Sequence, residues 1–134
     1  MSDERTFLDT NAVLYFLGGQ LAVPLPTGSH FMSVISEIEL FSYPSLSSQE
    51  EEDIRKFLSK IEIVGLNTEI KETAIIFRRT HRLKTPDAII AASAKCLHAI
   101  LLTNDSLLLA CSDIHTAPLQ LRKDPGAFAS SWHL

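Results

Sequence analysis

Residues 6–17 read TFLDTNAVLYFL, and this stretch decides the fold. Its first part, Thr6–Leu8, is predicted to be a short buried strand. The strand ends at Asp9, although Asp is disfavoured in strands and is rarely buried without a partner. Asn11–Leu17 follows as a predicted helix that stops at two glycines. A strand that ends at an acid and turns at once into a helix raises the question of what that acid binds.

Length and composition indicate one ordinary globular domain. The chain has 134 residues, of which 46% are hydrophobic and 21% charged. No run approaches the roughly 20 apolar residues of a membrane span, and the N-terminus has no apolar signal-peptide core. We therefore expect a cytoplasmic protein with no membrane partner. The net charge of −4 argues against nucleic-acid binding through overall charge, but it is compatible with a nuclease whose acids hold divalent cations.

The two cysteines, Cys96 and Cys111, are expected to be small buried thiols. A disulfide or a metal pair is the alternative, but no CxxC spacing supports a zinc site.

Further predicted elements follow in alternation. A second apolar strand spans Phe31–Ser36, and Ser36 with Glu39 matches a capping box at the start of the next helix. Ser48 is the expected cap of a third, amphipathic helix, whose apolar face is formed by Ile54, Phe57, Leu58 and Ile61.

The second half continues in the same manner. A strand is predicted over Ile61–Leu66, a helix capped by Asn67 or Thr68, and an Ala-rich helix with Thr85 as N-cap and Pro86 at its first position. A strand over Ala99–Asp105, a short helix and a last strand complete the chain. Alternating strands and helices predict an α/β fold with three layers, α/β/α, around a central, mostly parallel β-sheet. We expect one domain over residues 1–121 and a C-terminal tail over 122–134.

Four acids are predicted to meet at one edge of this sheet. Ligands of parallel sheets bind beyond the carboxyl ends of the strands, where Asp9 and Asp105 end two strands. Glu39 follows the second strand, and Asp87 lies in the first turn of the Ala-rich helix. Four close carboxylates repel one another and must take up protons or share a cation. Mg²⁺ and Mn²⁺ prefer such oxygen ligands, and one or two such ions can hydrolyse a phosphodiester.

Each acid also has a purely structural interpretation. Asp9 and Asp105 could cap the helices that follow them, and Asp87 could complement a helix dipole. Glu39 could do no more than complete the capping box with Ser36. Glu37 is an alternative metal ligand, but it lies on a different face of that helix.

The segments FLDTNAVLYFL, SVISEIEL, TPDAIIAASA and LLTND resemble, in order, four characteristic blocks of PIN domains. The resemblance implies a PIN-like fold and an acidic metal site formed by Asp9, Glu39, Asp87 and Asp105. It also implies that Asn11 and Thr103 are polar residues that orient the acids or a bound water. Chains of this size are similar to VapC-type toxins, which are Mg²⁺- or Mn²⁺-dependent endoribonucleases. Such toxins are usually homodimers and are silenced by a cognate antitoxin.

A basic segment, RRTHRLK, precedes Asp87. Its cations could contact the RNA backbone or could simply complement a helix C-terminus. The residues concerned are Arg78, Arg79, Arg82 and Lys84. His81 could transfer protons, although a solvated histidine is the simpler interpretation. The family usually has a glycine in this segment, and this chain has none.

Other interpretations remain open. Phe41, Tyr43 and Leu46 could belong to the core or to a dimer or antitoxin surface. The chain could be a non-catalytic binding module of the same fold, but such modules lose acids and all four are present. A phosphotransfer enzyme with Asp9 as nucleophile usually has a second acid two residues later, where this chain has Asn11.

Overall fold

The structure, a computed structural model, describes residues 4–123. In this range five short strands are interspersed with six helices. They are β1 (Arg5–Leu8), α1 (Thr10–Leu17), β2 (Ser29–Ser33), α2 (Val34–Phe41), α3 (Ser48–Leu58), β3 (Glu62–Val64), α4 (Thr68–His81), α5 (Thr85–Cys96), β4 (Ile100–Leu102), α6 (Ser106–Leu109) and β5 (Thr116–Ala117).

The strands form one sheet in the order β3-β2-β1-β4-β5, and each neighbouring pair is parallel. β1 is the central strand. Its Phe7 lies opposite Phe31 of β2 on one side and opposite Leu101 of β4 on the other. The predicted α/β fold with a parallel sheet is confirmed.

The sheet is covered on both faces because neighbouring side chains of a strand point in opposite directions. Phe7 and Leu101 pack into a core with α4 and α5, whereas Leu8 and Leu102 pack into a second core with α1 and α3. Two cores on opposite faces of one sheet give the three expected layers.

The start of α2 differs from the prediction. β2 ends at Ser33, whose hydroxyl accepts a hydrogen bond from the Ile35 N–H at 3.0 Å and caps the helix. The predicted strand to Ser36 and the capping box of Ser36 with Glu39 are therefore wrong. Ser36 lies inside the helix and is fully buried. The cause is an earlier serine at the strand end that can already satisfy the first free N–H groups.

Two other helix starts shift by one residue. Ser47, not Ser48, caps α3 and forms a complete capping box with Glu50. Lys84, not Thr85, is at the N-cap of α5, and its side chain makes no capping hydrogen bond. For α4 the first of the two predicted caps, Asn67, accepts the Ile70 N–H at 2.8 Å.

The last described residues run beside the loop that follows α1. Leu121 forms an antiparallel bridge with Leu21. Of the predicted tail 122–134, only Arg122 and Lys123 fall within the described range, and the remainder lies outside it. Both cysteines have free thiols, as expected, but only Cys111 is buried, and Cys96 is half-buried. Across residues 4–123, no helix is long and apolar enough to cross a membrane.

Candidate active site

The four predicted acids line one cleft at the carboxyl edge of the sheet. Asp9 follows β1, Asp105 follows β4, and Glu39 and Asp87 come from α2 and the first turn of α5. The cleft has a volume of about 460 Å³. Its walls are formed by Asp9, Thr10, Asn11, Glu39, Ser42, Tyr43, Asp87 and Asp105. The structure thus brings together carboxylates that are far apart in the sequence, while their catalytic roles stay predictions.

Asp9 is the most buried of these acids, with 7% of its surface exposed. Its Oδ1 accepts the Thr10 N–H at 2.7 Å, and its Oδ2 accepts the Thr103 hydroxyl at 2.7 Å. Burial raises the pKa of Asp9, the two hydrogen bonds lower it, and the nearby charges of Asp105 and Glu39 raise it further. Asp9 therefore caps α1 and also lies in the acidic cleft, so both sequence interpretations apply.

Thr103 links the two acids that end neighbouring strands. It is fully buried, donates to Asp9 Oδ2 and accepts the Asp105 N–H at 3.0 Å. Asp105 Oδ1 in turn caps α6 by accepting the N–H groups of Leu107 and Leu108 at 2.9 and 3.2 Å. These bonds fix the orientation of both carboxyl groups, while the role of Thr103 in a metal site stays a prediction.

The pKa of Asp87 reflects the repulsion among the four acids of the cleft. Partial burial raises its pKa, the charges of Asp105, Asp9 and Glu39 raise it further, and Lys84 lowers it, for a result of about 6. The negative charge of the cleft is therefore only partly offset by Lys84.

Thr10 is a site residue that sequence reasoning missed. Its Oγ1 lies 2.7 Å from Glu39 Oε1 and 2.6 Å from Ser36 Oγ. Because a hydroxyl has a single proton and a carboxylate only accepts, Thr10 donates to Glu39 and accepts from Ser36. This series of hydrogen bonds joins α1 to α2 and holds the Glu39 carboxyl group at the cleft.

Tyr43 and Ser42 form a wall of the cleft and were also missed as site residues. Burial and the charge of Glu39 raise the pKa of Tyr43. The Tyr43 ring also packs against the core that contains α1 and α3, so the interpretation of Tyr43 as a core residue was partly correct. Asn11 is exposed and lines the same cleft, while its predicted role in orienting the acids or a water stays a prediction.

The basic segment lies beside the cleft rather than in it. Arg78 donates from Nε to the Leu83 carbonyl at 3.1 Å, and Arg78 and Arg79 line a separate surface depression. Arg82 ends α4 in the left-handed conformation, with φ 58°. His81 Nε2 lies 2.7 Å from Asp113 Oδ2, so His81 is paired outside the cleft and is not the solvated side chain of the simpler interpretation.

The cleft has the donor chemistry of a site for a hard divalent cation, but not a closed cage. Among residues 4–123, no three acidic, histidine or cysteine side chains already converge on a single ion position. Mg²⁺ typically binds through one or two carboxylates and keeps several waters. Four repelling carboxylates in an open cleft fit such a hydrated ion.

Comparison with known proteins identifies relatives of this architecture. The family model described as "PIN domain" matches residues 6–110. The DNA-bound VapBC structure from Salmonella typhimurium has a TM-score of 0.71 at 19% identity, over 86% of this chain and 98% of that chain. A toxin–antitoxin complex from Klebsiella pneumoniae has a TM-score of 0.68 at 24% identity, over 81% and 94% of the two chains. For VapBC-5 from Mycobacterium tuberculosis the TM-score is 0.66 at 16% identity, over 87% and 98%. A comparison with curated proteins gave no match.

Proposed function

The chain belongs to the PIN domain family, and from this membership we propose that it is a Mg²⁺- or Mn²⁺-dependent endoribonuclease, the toxin of a toxin–antitoxin pair. The observation that carries the proposal is the single cleft lined by Asp9, Glu39, Asp87 and Asp105. Clustered carboxylates that raise one another's pKa contribute nothing to a hydrophobic core. They are useful where a cation is to be held.

The roles proposed for the residues follow from their positions. Asp9, Asp87 and Asp105 would hold one or two ions, with Glu39 as a direct ligand or through a water. When bound, the cation supplies water activation and stabilisation of charge on the phosphate. Thr103 holds Asp9 and Asp105, and Thr10 holds Glu39, so the oxygens are positioned before any cation binds.

RNA would approach through the open side of the cleft. Asn11, Ser42 and Tyr43 lie on the walls of the cleft and would contact the substrate or a water beside the acids. Arg82 and Lys84, just ahead of Asp87, would attract the phosphate backbone, which the acids alone would repel. No covalent intermediate with the protein is part of this scheme.

The direct test is Asp9→Asn, which keeps the shape of the side chain and one of its two acceptor oxygens. We expect loss of cleavage of single-stranded RNA in Mg²⁺, with an unchanged circular dichroism spectrum. Glu37→Gln is the matched control, since it removes the same charge from a residue of α2 that does not line the cleft. Full activity of Asp9→Asn would refute the proposal.

A non-catalytic binding module is the second candidate. The absence of a ready three-ligand set within residues 4–123 favours it. Calorimetric titration with Mg²⁺ and Mn²⁺ separates the two candidates, because only a metal-dependent nuclease requires saturable binding that Asp9→Asn weakens.

We also propose a cognate antitoxin and a homodimer. The neighbours from Klebsiella pneumoniae and Salmonella typhimurium are a toxin–antitoxin complex and a VapBC assembly, and their likeness to this chain supports the first part. Co-expression with the product of a small reading frame directly upstream should yield a complex in which cleavage is silenced. Light scattering on the purified chain tests the homodimer.

A further inference from the structure

The outer face of α4 carries an exposed apolar pair. Ile70, Ala74 and Phe77 bury the opposite face of this helix in the core. Ile75 and Ile76 lie on the outer face and keep 45% and 56% of their surface exposed. Adjacent exposed isoleucines at the centre of a helix gain stability only when a second surface covers them.

The two isoleucines lie between opposite charges. Glu72 precedes them by one helical turn and Arg79 follows them by one turn, and both side chains are exposed. At 3.6 residues per turn, these four residues share one band of the helix surface, opposite the buried face. No residue three or four positions from Glu72 or Arg79 has the opposite charge, and neither residue forms an ion pair within residues 4–123. Both charges are therefore available to a partner.

The spacing of these four residues is self-complementary. Glu72 and Arg79 lie on either side of the midpoint between Ile75 and Ile76, each about 5 Å from it along the helix axis. A two-fold axis through this midpoint, perpendicular to the helix, places Glu72 level with the partner's Arg79 and Ile75 level with the partner's Ile76. Parallel pairing would instead bring like charges together, which is unfavourable. The charges thus select an antiparallel arrangement of two copies.

The flanking residues are compatible with this arrangement. The same axis sets Lys71 level with the partner's Thr80 and Thr73 level with the partner's Arg78, so no like charges meet at these levels. Arg78 also donates from Nε to the Leu83 carbonyl of its own chain at 3.1 Å. An RNA backbone fits this face less well, because its outward acid would repel phosphate.

We propose that α4 pairs antiparallel with α4 of a second copy of this chain, with Ile75 and Ile76 at the centre and Glu72 of each protomer facing the partner's Arg79. The inference rests on the homodimer of the proposed function and names its surface. Antiparallel helices at a crossing angle of about 20° bring such residues into contact. A pair of four-turn helices is small beside a standard interface of about 1,600 Å², so we expect a dimer that dissociates on dilution.

Charge reversal tests the pairing directly by sedimentation velocity of the full chain over a range of concentrations. Glu72→Arg and Arg79→Glu should each raise the dissociation constant of the dimer by roughly tenfold or more, because each turns two attractive pairs into repulsive ones. The double variant restores opposite charges across the two-fold axis and should return most of the affinity. Circular dichroism of each variant checks that the fold is retained.

Ile76→Glu tests the apolar centre and should leave only monomers. Ile38→Glu is the matched control, since Ile38 is 58% exposed but lies on α2, and it should leave the dimer intact. A dimer that persists in Ile76→Glu, or a double variant no tighter than the single ones, would overturn the pairing through α4 and leave the homodimer itself standing. An unmodified chain that is monomeric at every concentration would overturn both. Loss of antitoxin binding in place of dimerisation would assign the face to the antitoxin. None of these readouts depends on RNA cleavage, so failure of the nuclease proposal is scored separately.

Discussion

Thr103 is the residue on which the geometry of two acids depends. It is fully buried, donates to Asp9 and accepts from the Asp105 N–H. Thr103→Val keeps the shape and removes both bonds, so we expect a loss of about 1–3 kcal/mol in the free energy of unfolding. The pKa of Asp9 should rise because the Thr103 bond lowers it. Because a less ionised and less well oriented Asp9 is a poorer ligand, we also expect weaker Mg²⁺ binding under the proposed function. Denaturant unfolding measures the loss of stability, and calorimetric Mg²⁺ titration measures the loss of affinity.

Thr103→Ser is the control for this prediction, because it retains the hydroxyl. It should restore most of the Mg²⁺ affinity that Thr103→Val loses. If Thr103→Val binds Mg²⁺ as tightly as the unmodified chain, then Thr103 does not position the acids.

Asp87 should make the stability of the metal-free protein dependent on pH. Its folded-state pKa of about 6 lies above the ordinary value of 3.8, so the folded state binds more protons than the unfolded state between these values. The free energy of unfolding therefore decreases as the pH rises from 3.8 to about 6. Asp87→Asn should flatten the decrease, as measured by denaturant unfolding in chelator at a series of pH values.

Glu37→Gln serves as the control, since it neutralises an acid outside the cleft and should leave the decrease unchanged. A decrease of the same size in Asp87→Asn would assign the pH dependence to other groups.

For single residues, the sequence predicts the acids of the cleft better than it predicts the residues that surround and hold them. Asp9 and Asp105 follow short apolar strands, which is a strong signal because an acid is unusual at the end of a buried run. Thr10 and Tyr43 carry no such signal, since threonine and tyrosine are ordinary at a helix start and in a turn. Their roles depend on α1 and α2 lying side by side, and that contact is not encoded in local spacing.

The end of α4 carries a conformational cost that a substitution can remove. Arg82 has φ 58°, in the left-handed region where glycine is favoured, and His98 after α5 has φ 54°. We expect Arg82→Gly and His98→Gly each to stabilise the fold by about 1 kcal/mol. Thermal unfolding of the two variants checks this expectation.

Comparison of Arg82→Gly with His98→Gly also separates an effect on stability from an effect on RNA binding. Arg82 belongs to the basic segment beside Asp87, whereas His98 does not. Under the proposed function only Arg82→Gly should weaken RNA binding and reduce its dependence on salt. Equal weakening in both variants would argue against a specific role of Arg82.

Element boundaries are predicted less well than element types. Each of the predicted helices exists, but the starts of α2, α3 and α5 lie earlier than expected. The segments around α2 and α3 contain several serines, and any of them can act as a cap. Which serine does so depends on where the preceding segment leaves the core, as for Ser33 at the end of β2.

For the molecule as a whole, a divalent cation should stabilise the fold because it relieves the repulsion among the four acids. At a Mg²⁺ concentration 100 times the dissociation constant, the expected gain is about 2.7 kcal/mol. Thermal unfolding in Mg²⁺, compared with K⁺ at the same ionic strength, measures it. The gain should be smaller in Asp9→Asn. Equal stabilisation by K⁺ would show general screening instead of a site.

The layered fold follows from the sequence because strands and helices alternate, which favours parallel pairing and two helical layers. The order of the strands does not follow in the same way. The sequence of residues 5–8 does not indicate that this strand lies between β2 and β4. That position is set by contacts between residues nearly 100 positions apart, such as Leu8 opposite Leu102.

The central place of β1 has a consequence for biosynthesis. A ribosome makes β1 well before β4, so β1 gains its second neighbour only after residue 102 has emerged. Asp105, the last of the four acids, is translated later still. A nascent chain released before that point lacks both a complete sheet and a complete set of carboxylates. Products that terminate before Asp105 are therefore expected to lack the complete acidic cleft and, under the proposed function, to cleave no RNA.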